Sequence, residues 1–267
     1  MRIEQVNMGS HSGGFGSFKD FYSLEDYNDK NAPAVFYGLT SNVEVKKWIN
    51  HRGFKIYIPV SIKETQGNFD ISGQGGALQK IYNDNLNVLV YDEVWEYLIK
   101  SNGIENYKKV KFAWQDHRKC KPTPLGDKIY IHFSIWWRSE SERQFFEKDK
   151  YIELFGDDLI FPSEWIPYND LIENYFNRSF IHIITSPLPI RAETTGQAMG
   201  LMGRKTLCNW PNLNPSYELF SVWDLDKLIK RVNMERQKIG TIQLELANQV
   251  NDYFDFSDDW LYVDYWK

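Results

Sequence analysis

The sequence contains little cysteine, no long apolar run and no excess of positive charge, and each shortage excludes a class of protein. Cys120 and Cys208 are its two cysteines, too few for a disulfide framework or a cysteine metal site. No apolar stretch approaches the roughly 20 residues of a membrane-spanning helix. Residues 1–14 lack the apolar core of a signal peptide. We therefore expect a cytoplasmic protein.

The charge balance argues against polyanionic partners. The chain carries 31 Lys and Arg against 36 Asp and Glu, a net charge of −5, which gives no general attraction to nucleic acid or anionic lipid. The densest basic stretch, residues 108–121, is either a solvated loop or an electropositive lip for phosphates. None of the five histidines has the spacing of a metal site, and His182 lies in an apolar run that predicts a core position. No metal is therefore expected.

Short β-branched and aromatic runs alternate with amphipathic stretches along the 267 residues. This alternation is typical of βαβ units and a mostly parallel sheet. Residues 116–127 interrupt it with two prolines, a glycine and several charges, which is typical of a linker. We therefore expect an α/β protein of two Rossmann-like domains that face a cleft, residues 1–120 and residues 121–267. The first has room for about four strands at ordinary element lengths.

The same patterns predict individual elements. In the first half the predicted strands are residues 2–8, 35–39, 54–60, 87–91 and 109–114. The predicted helices there are residues 42–50, ended by a left-handed Gly53, and residues 93–102, closed by Gly103. In the second half the predicted strands are residues 128–134, 159–161, 180–185 and 205–208. The predicted helices there are residues 139–155, 167–177, 193–202, which breaks at Gly203, and 224–239, with helical structure continuing through residues 241–267.

The stretch SPLPIRAETTGQAMGLMGRKTLCN, residues 186–209, is the strongest candidate for a ligand site. Ligands of open α/β sheets bind at the carboxyl ends of strands, and a helix N-terminus offers unpaired N–H groups and partial positive charge to phosphate. We expect Thr194, Thr195 and Gly196 to present N–H groups to a diphosphate. Glu193 could accept hydrogen bonds from ribose hydroxyls, or could be a first-turn acid that the helix dipole favours.

The glycine-rich loop GSHSGGFGSF, residues 9–18, is a second candidate. Glycines after a first strand permit close approach of the backbone to a ligand. His11, Ser12, Gly13 and Gly14 are the candidate contacts to an acceptor or a phosphate, with His11 placed to orient an acceptor hydroxyl. The loop matches neither the dinucleotide fingerprint nor the P-loop, and a merely flexible segment explains it equally well.

Two segments resemble a known family. QAMGLMGRKTL (197–207) resembles the segment around the second acid of the E-x7-E element of retaining GT-B glycosyltransferases, and it is similar to small bacterial and viral surface-polysaccharide enzymes of this kind. FYGLTSNVEVKKWINHRGFKIYIPV (36–60) resembles their N-terminal half. The resemblance implies transfer of a sugar from a nucleotide-sugar donor to a glycan or other hydroxyl acceptor, with retention and without metal or cofactor. It implies acceptor binding on the first domain and donor binding on the second.

The resemblance also implies roles for particular side chains. The loop FSIWWRSESER (133–143) corresponds to a family segment that offers a cation to the donor diphosphate, so Arg138 takes that role, with Lys148 a looser match. Arg191 and Lys205 are further candidates for the diphosphate. The other explanation of Arg138 is a surface ion pair with Glu140 or Glu142. The predicted catalytic residues are Arg138 and Glu193.

The chain departs from the family at the acid pair. The helix acid of the pattern falls on Gln197, and Pro189 occupies the position of the first acid. Glu193, or the amide of Gln197, would then take over the ribose contact. The departure leaves open a non-catalytic nucleotide-sugar or glycan-binding protein on the same scaffold.

Two further enzyme classes are alternative hypotheses, one with the same fold class and one with the same chemistry. A GT-B-type sugar-nucleotide epimerase needs paired acids and a cleft histidine, which the sequence does not identify. A glycosyltransferase that modifies DNA would have the same chemistry with a different acceptor. The acidic net charge of this chain argues against DNA as the acceptor, because it gives no general attraction to phosphates.

Overall fold

The structure is a computed structural model that describes residues 1–9, 16–60, 87–90, 93–114, 116–132, 148–162, 166–185 and 193–267. The described residues form two compact units. Unit 1 comprises Met1–Asp116 and Phe254–Lys267, and unit 2 comprises His117–Tyr253. Among the described helices, none is long and apolar enough to cross a membrane. The predicted class is confirmed to this extent: the protein is α/β with two separate parallel sheets.

Unit 1 is built on a six-stranded sheet of order β2-β1-β3-β4-β5-β6, in which every neighbouring pair is parallel. The strands are β1 Gln5–Asn7, β2 Glu25–Asp26, β3 Ala34–Tyr37, β4 Lys55–Ile58, β5 Asn87–Val90 and β6 Tyr107–Lys109. The expectation of about four strands was wrong. Glu25 and Asp26 are both exposed, so β2 has no apolar run to reveal it.

The helices of unit 1 are α1 Gly16–Phe21, α2 Asn42–Asn50 and α3 Glu93–Ser101. Helix α2 has the predicted bounds. It does not end at a left-handed glycine, because Gly53 lacks a positive φ and His51 already has extended backbone. A glycine is needed at 53 for another reason: a Cβ there would lie 2.4 Å from the carbonyl oxygen of Asn31. Gly103, with φ of +76°, follows α3 as predicted.

The last segment of the chain completes the core of unit 1. Trp260 and Leu261 are buried, and the Trp260 ring packs against Phe18 and Tyr22 with centroid distances of 6.3 and 5.0 Å. The Ile3 N–H donates to the Leu261 carbonyl at 2.7 Å. The expected second domain ran to residue 267, whereas residues 254–267 belong to unit 1 because their aromatic side chains fill its core.

Unit 2 contains a five-stranded parallel sheet of order β11-β10-β9-β7-β8. The strands are β7 Lys128–His132, β8 Leu159–Ile160, β9 Ser179–Ile184, β10 Lys205–Cys208 and β11 Tyr217–Leu219. Every residue of β9 is buried, as expected of an apolar strand inside a parallel sheet. The sequence analysis missed β11, whose alternating short run carries Glu218 between two apolar residues.

The helices of unit 2 are α4 Lys148–Phe155, α5 Tyr168–Leu171 with a π-helical continuation Ile172–Phe176, α6 Glu193–Leu201, α7 Leu225–Arg236 and α8 Leu244–Tyr253. Of the helix predicted for residues 139–155, the first part lies outside the described residues. The helix predicted from residue 224 begins at Leu225, and Asp224 caps it by accepting from the Lys227 N–H at 3.1 Å. Gly203, with φ of +84°, follows α6.

Arg204 joins three segments of unit 2. Its fully buried guanidinium donates to the carbonyls of Ser179 at 3.3 Å, Thr123 at 3.2 Å and Pro124 at 3.0 Å, and also to that of Met202. Burial lowers the pKa of Arg204 to about 10, which leaves the group charged at neutral pH. The arginine of the MGRK run is therefore a structural residue that ties the linker to β9 and to the end of α6.

We expect Arg204→Met to lower the free energy of unfolding by about 3 kcal/mol or more, because it leaves several buried carbonyls without a donor, each costing about 1–3 kcal/mol. Arg178→Met is the matched control, since Arg178 is exposed. Urea denaturation measures both variants. Equal stability of the two would show that the carbonyls of the linker do not depend on Arg204.

Candidate functional site

The carboxyl ends of the strands of unit 2 meet at one edge of its sheet, because all strand pairs are parallel. Strand β7 ends at His132, β9 at Ile184 and β10 at Cys208. Helix α6 begins at Glu193, after β9 and on the carboxyl side of that strand. This edge is where ligands of open α/β sheets bind, and we take it as the candidate donor site.

Helix α6 begins at the predicted residue. The first N–H groups of a helix have no partner within it, so the backbone from Glu193 to Gly196 is suited to an anion. The side chains of Glu193 and Thr194 lie outside the described residues. Thr195 is half-buried and Gly196 is buried. Gln197 is 2% exposed, so its amide lies within the protein. The ligand contacts of these five residues stay predictions.

Two glycines bring α6 close to β11. A Cβ on Gly196 would lie 1.6 Å from the hydroxyl oxygen of Tyr217, and a Cβ on Gly200 would lie 2.7 Å from Oγ of Ser216. A larger residue at either position would require the helix or the facing side chain to move. The first turn of α6 therefore packs directly against the side chain of Tyr217, the residue that begins β11. The sequence analysis missed Tyr217; the signal was the spacing of four between two glycines inside a predicted helix.

An apolar cluster lies at the ends of β9 and β10. Ile184, Cys208 and Tyr217 form it, and the half-buried Trp210 packs against it. Ile184 and Cys208 are the last residues of β9 and β10, and Tyr217 is the residue that contacts Gly196. The cluster therefore connects the ends of β9 and β10 to the tyrosine on which the first turn of α6 packs.

Several predicted site residues are not described by the structure. Arg138 and Arg191 lie outside the described residues, as do His11, Ser12, Gly13 and Gly14. Lys148 begins α4, and its side chain is not described.

Lys205 does not lie at the carboxyl edge. It begins β10, at the opposite end of that strand, and its Nζ donates to the carbonyl of Pro215 at 3.2 Å. The prediction that Lys205 assists the diphosphate was therefore wrong, because the parallel strand places it on the wrong edge of the sheet.

The glycine-rich loop starts at the carboxyl edge of the sheet of unit 1, just after β1. Gly9 follows β1 with φ of +51°, and a Cβ there would lie 1.5 Å from Oε1 of Glu44. The Glu44 carboxylate is 3% exposed and accepts from the N–H groups of Thr40 at 2.7 Å and Ser41 at 2.9 Å. Glu44 thus packs against Gly9, just after β1, and hydrogen-bonds to the turn that follows β3. The sequence analysis did not single out Glu44, although Ser41-x-x-Glu44 has the spacing of a capping box.

The remaining polar candidates have structural positions. His182 is fully buried, with Nδ1 at 3.3 Å from Oγ1 of Thr206 and its ring 5.2 Å from that of Tyr130, which confirms the predicted core position. Within the described part of the chain, no group of three or more His, Cys, Asp and Glu residues is placed to hold a metal ion.

Solved structures share this architecture. The crystal structure of TarM superposes with a TM-score of 0.55 and 14% identity, over 90% of this chain and 56% of TarM. Anabaena HepE in complex with UDP and glucose gives a TM-score of 0.56 and 12% identity over 94% of this chain and 81% of HepE. HepE in complex with UDP-glucose gives 0.57 and 12% over 91% and 85%. No protein-family model matches the sequence, and no curated protein matches it.

TarM and HepE are glycosyltransferases of the GT-B type, and at 12 to 14% identity the likeness shows the fold. The chain spans little more than half the length of TarM. The resemblance carried by residues 197–207 and 36–60 is therefore confirmed for the fold: the protein has the fold of GT-B glycosyltransferases.

The contact between Gly196 and Tyr217 makes a direct prediction. Alanine is intrinsically better than glycine inside a helix by about 1 kcal/mol, so Gly196→Ala would be stabilising without the contact. We expect instead a loss of about 1–3 kcal/mol, typical of overpacking, measured by urea denaturation. Thr195→Ala is the neighbouring control. A Gly196→Ala variant more stable than wild type would contradict the close packing of α6.

Proposed function

We propose that the protein is a glycosyltransferase that moves a sugar from a nucleotide-sugar donor to a glycan or other hydroxyl acceptor. The observation that best supports this proposal is the likeness over more than nine-tenths of the chain to HepE, a protein whose structures contain UDP and glucose or UDP-glucose. A uridine diphosphate sugar is accordingly the first donor to test. We place the reaction in the cytoplasm and in polysaccharide biosynthesis.

The proposed donor site is the carboxyl edge of unit 2. The N–H groups at the start of α6, from Thr194 to Gly196, would bind the diphosphate, with Arg138 and Arg191 supplying positive charge. Glu193 would accept from the ribose hydroxyls. This arrangement is supported by the parallel strand ends and by the tight seating of α6 on Tyr217.

The proposed chemistry rests on stabilising the departing nucleoside diphosphate. Negative charge develops on that group as the glycosidic bond breaks, and fixed N–H donors with an arginine would lower the barrier. The acceptor would bind on unit 1, at the loop of His11, Ser12, Gly13 and Gly14. We propose that the transfer retains the anomeric configuration and needs no metal and no cofactor.

Gln197 and Pro189 give the proposed enzyme a different donor contact from the E-x7-E pattern. Gln197 carries no charge and is 2% exposed, so the acid-dependent part of the pattern falls to Glu193. Arg138 and Glu193 are therefore the two residues on which the proposed catalysis depends.

Calorimetric titration of UDP tests the donor site. We expect Arg138→Ala to weaken UDP binding by roughly ten- to a hundred-fold, because a hydrogen bond to a charged group contributes about 1.5–3 kcal/mol. Glu193→Ala should weaken binding while the protein stays folded, since a first-turn acid contributes a few tenths to about 1 kcal/mol to the helix. Arg178→Ala, an exposed arginine of unit 2, is the control.

Release of UDP from UDP-glucose, measured in the same preparations, separates catalysis from binding. Wild-type protein that binds UDP but releases none with any hydroxyl acceptor offered would favour the non-catalytic binding protein. If Arg138→Ala and Glu193→Ala both bind UDP like wild type and melt alike, the site assignment is wrong. If Glu193→Ala unfolds the protein, Glu193 is a structural residue.

Metal independence gives a separate prediction. UDP binding and UDP release should be unchanged in excess EDTA, because the proposal assigns the diphosphate to protein N–H groups and arginine. Restoration of a lost activity by Mg²⁺ or Mn²⁺ after chelation would instead indicate metal-assisted departure of the diphosphate.

A further inference from the structure

A lysine and a buried amide lie together at the carboxyl end of β1 in unit 1. Nζ of Lys47, an exposed residue of α2, donates to Oδ1 of Asn7 at 3.1 Å. Asn7 is the last residue of β1 and is 3% exposed. The ring of Tyr27 flanks the ammonium, with its centroid 5.8 Å from Nζ. The three residues belong to three separate segments, so the fold brings them together.

The amide of Asn7 has a donor that is not used. Within the described part of the chain, Nδ2 is buried and makes no hydrogen bond. Because Lys47 can only donate, its contact with Oδ1 fixes the opposite end of the amide as the NH₂ group. Native proteins leave few buried polar groups unpaired, and such a group calls for a specific explanation.

Gln5 shows what a structural amide looks like on the same strand. It lies two residues before Asn7 and therefore on the same face of β1. Its Oε1 accepts from the N–H groups of Asn28 and Asp29, both at 3.1 Å, and its Nε2 donates to the carbonyls of Asp29 and Ala32. Both ends of the Gln5 amide thus form hydrogen bonds within the protein, whereas the NH₂ group of Asn7 forms none.

The charge of Lys47 is also available to a ligand. No described carboxylate forms an ion pair with it. Glu44, one turn earlier on α2, is buried and accepts from Thr40 and Ser41. The residue after Met8 is Gly9, which has a positive φ. The Lys47 ammonium and the unused NH₂ of Asn7 thus belong to one pair of contacting side chains at the carboxyl end of β1.

We propose that Lys47 and Asn7 bind an oxyanion, a phosphate or carboxylate group carried by the acceptor. One anionic oxygen pairs with the Lys47 ammonium, and a second accepts from Nδ2 of Asn7. The flexible four-carbon stem of Lys47 turns aside as the ligand enters, which opens the amide. The assignment to the acceptor rests on the proposed function, because unit 1 is the proposed acceptor side. Binding of the anion itself does not depend on it.

Glycerol 3-phosphate, with glycerol as the uncharged control, is the probe. Calorimetric or NMR titration of the full chain should detect the phosphate ester and not glycerol. Lys47→Met should weaken the binding about ten-fold or more, because a charge-assisted contact is lost. Lys46→Met is the matched control: Lys46 is the adjacent exposed residue of α2, and its replacement changes the net charge equally.

Asn7→Asp separates a ligand contact from a structural role. The aspartate keeps an oxygen for Lys47 and the size of the side chain, but it replaces the NH₂ donor with a charged oxygen that repels an anion. We expect loss of glycerol 3-phosphate binding in a variant that remains folded, because the Lys47 ammonium pairs with the new carboxylate. Binding equal to wild type in Asn7→Asp, equal effects of Lys47→Met and Lys46→Met, or equal binding of glycerol would each overturn the proposal.

UDP titrated into the same proteins identifies the source of the anion. UDP binding should be the same in wild type and Lys47→Met, because the donor site lies on unit 2. A loss of UDP binding in Lys47→Met, with glycerol 3-phosphate binding unchanged, would overturn the assignment to the acceptor. If wild type binds glycerol 3-phosphate but not UDP, the proposed donor fails while the anion site stands.

Discussion

Parallel pairing of the strands is the constraint on which the rest of this structure depends. In a parallel sheet every strand ends on the same side, so residues far apart in sequence collect at one edge. In unit 2 that edge gathers the ends of β9 and β10 and the start of α6. In unit 1 it gathers Asn7, Gly9 and the turn before α2. The same rule places Lys205 at the far end of its strand, away from the candidate donor site.

The two edges have different chemistry. The edge of unit 2 offers the first N–H groups of α6, which have no partner within the helix. An apolar cluster, with the Trp210 indole packed against it, lies at the ends of β9 and β10. The first turn of α6 packs on the Tyr217 side chain, so that a Cβ at position 196 would meet the Tyr217 hydroxyl. The edge of unit 1 offers side-chain groups instead: a buried carboxylate that fixes the strand exit, and an ammonium beside an amide. This difference is the structural basis of the proposal that the diphosphate binds on unit 2 and the acceptor on unit 1.

The sequence predicts most elements of the fold because their periodicity and end signals are local. Helix α2, strand β10 and the glycine after α3 follow from such signals. Strand β2, with two exposed acids, and strand β11, three residues long, carry too little apolar pattern to be recognised. The return of residues 254–267 to unit 1 was not predictable for a different reason: the partners of Trp260 are more than 200 residues earlier in the chain.

The candidate site was predictable only in outline. The strand–loop–helix run gives the start of α6, because helix boundaries depend on nearby residues. Tyr217, Glu44 and Asn7 were not foreseen, since their roles arise from contacts between segments that no local pattern encodes. Arg204 shows that a residue inside a recognised motif can have a purely structural role. Its place in the MGRK run draws attention to ligand chemistry, yet its buried guanidinium donates to four backbone carbonyls.

Hydrogen–deuterium exchange of the backbone amides with and without UDP tests the central claim most directly. The first amides of a helix exchange quickly because they lack internal partners. If the diphosphate binds at the start of α6, UDP should slow exchange of the amides of residues 193–196 and leave those of α7, on residues 225–236, unchanged. Saturating UDP that leaves residues 193–196 unprotected, or that protects only other segments, would contradict the account.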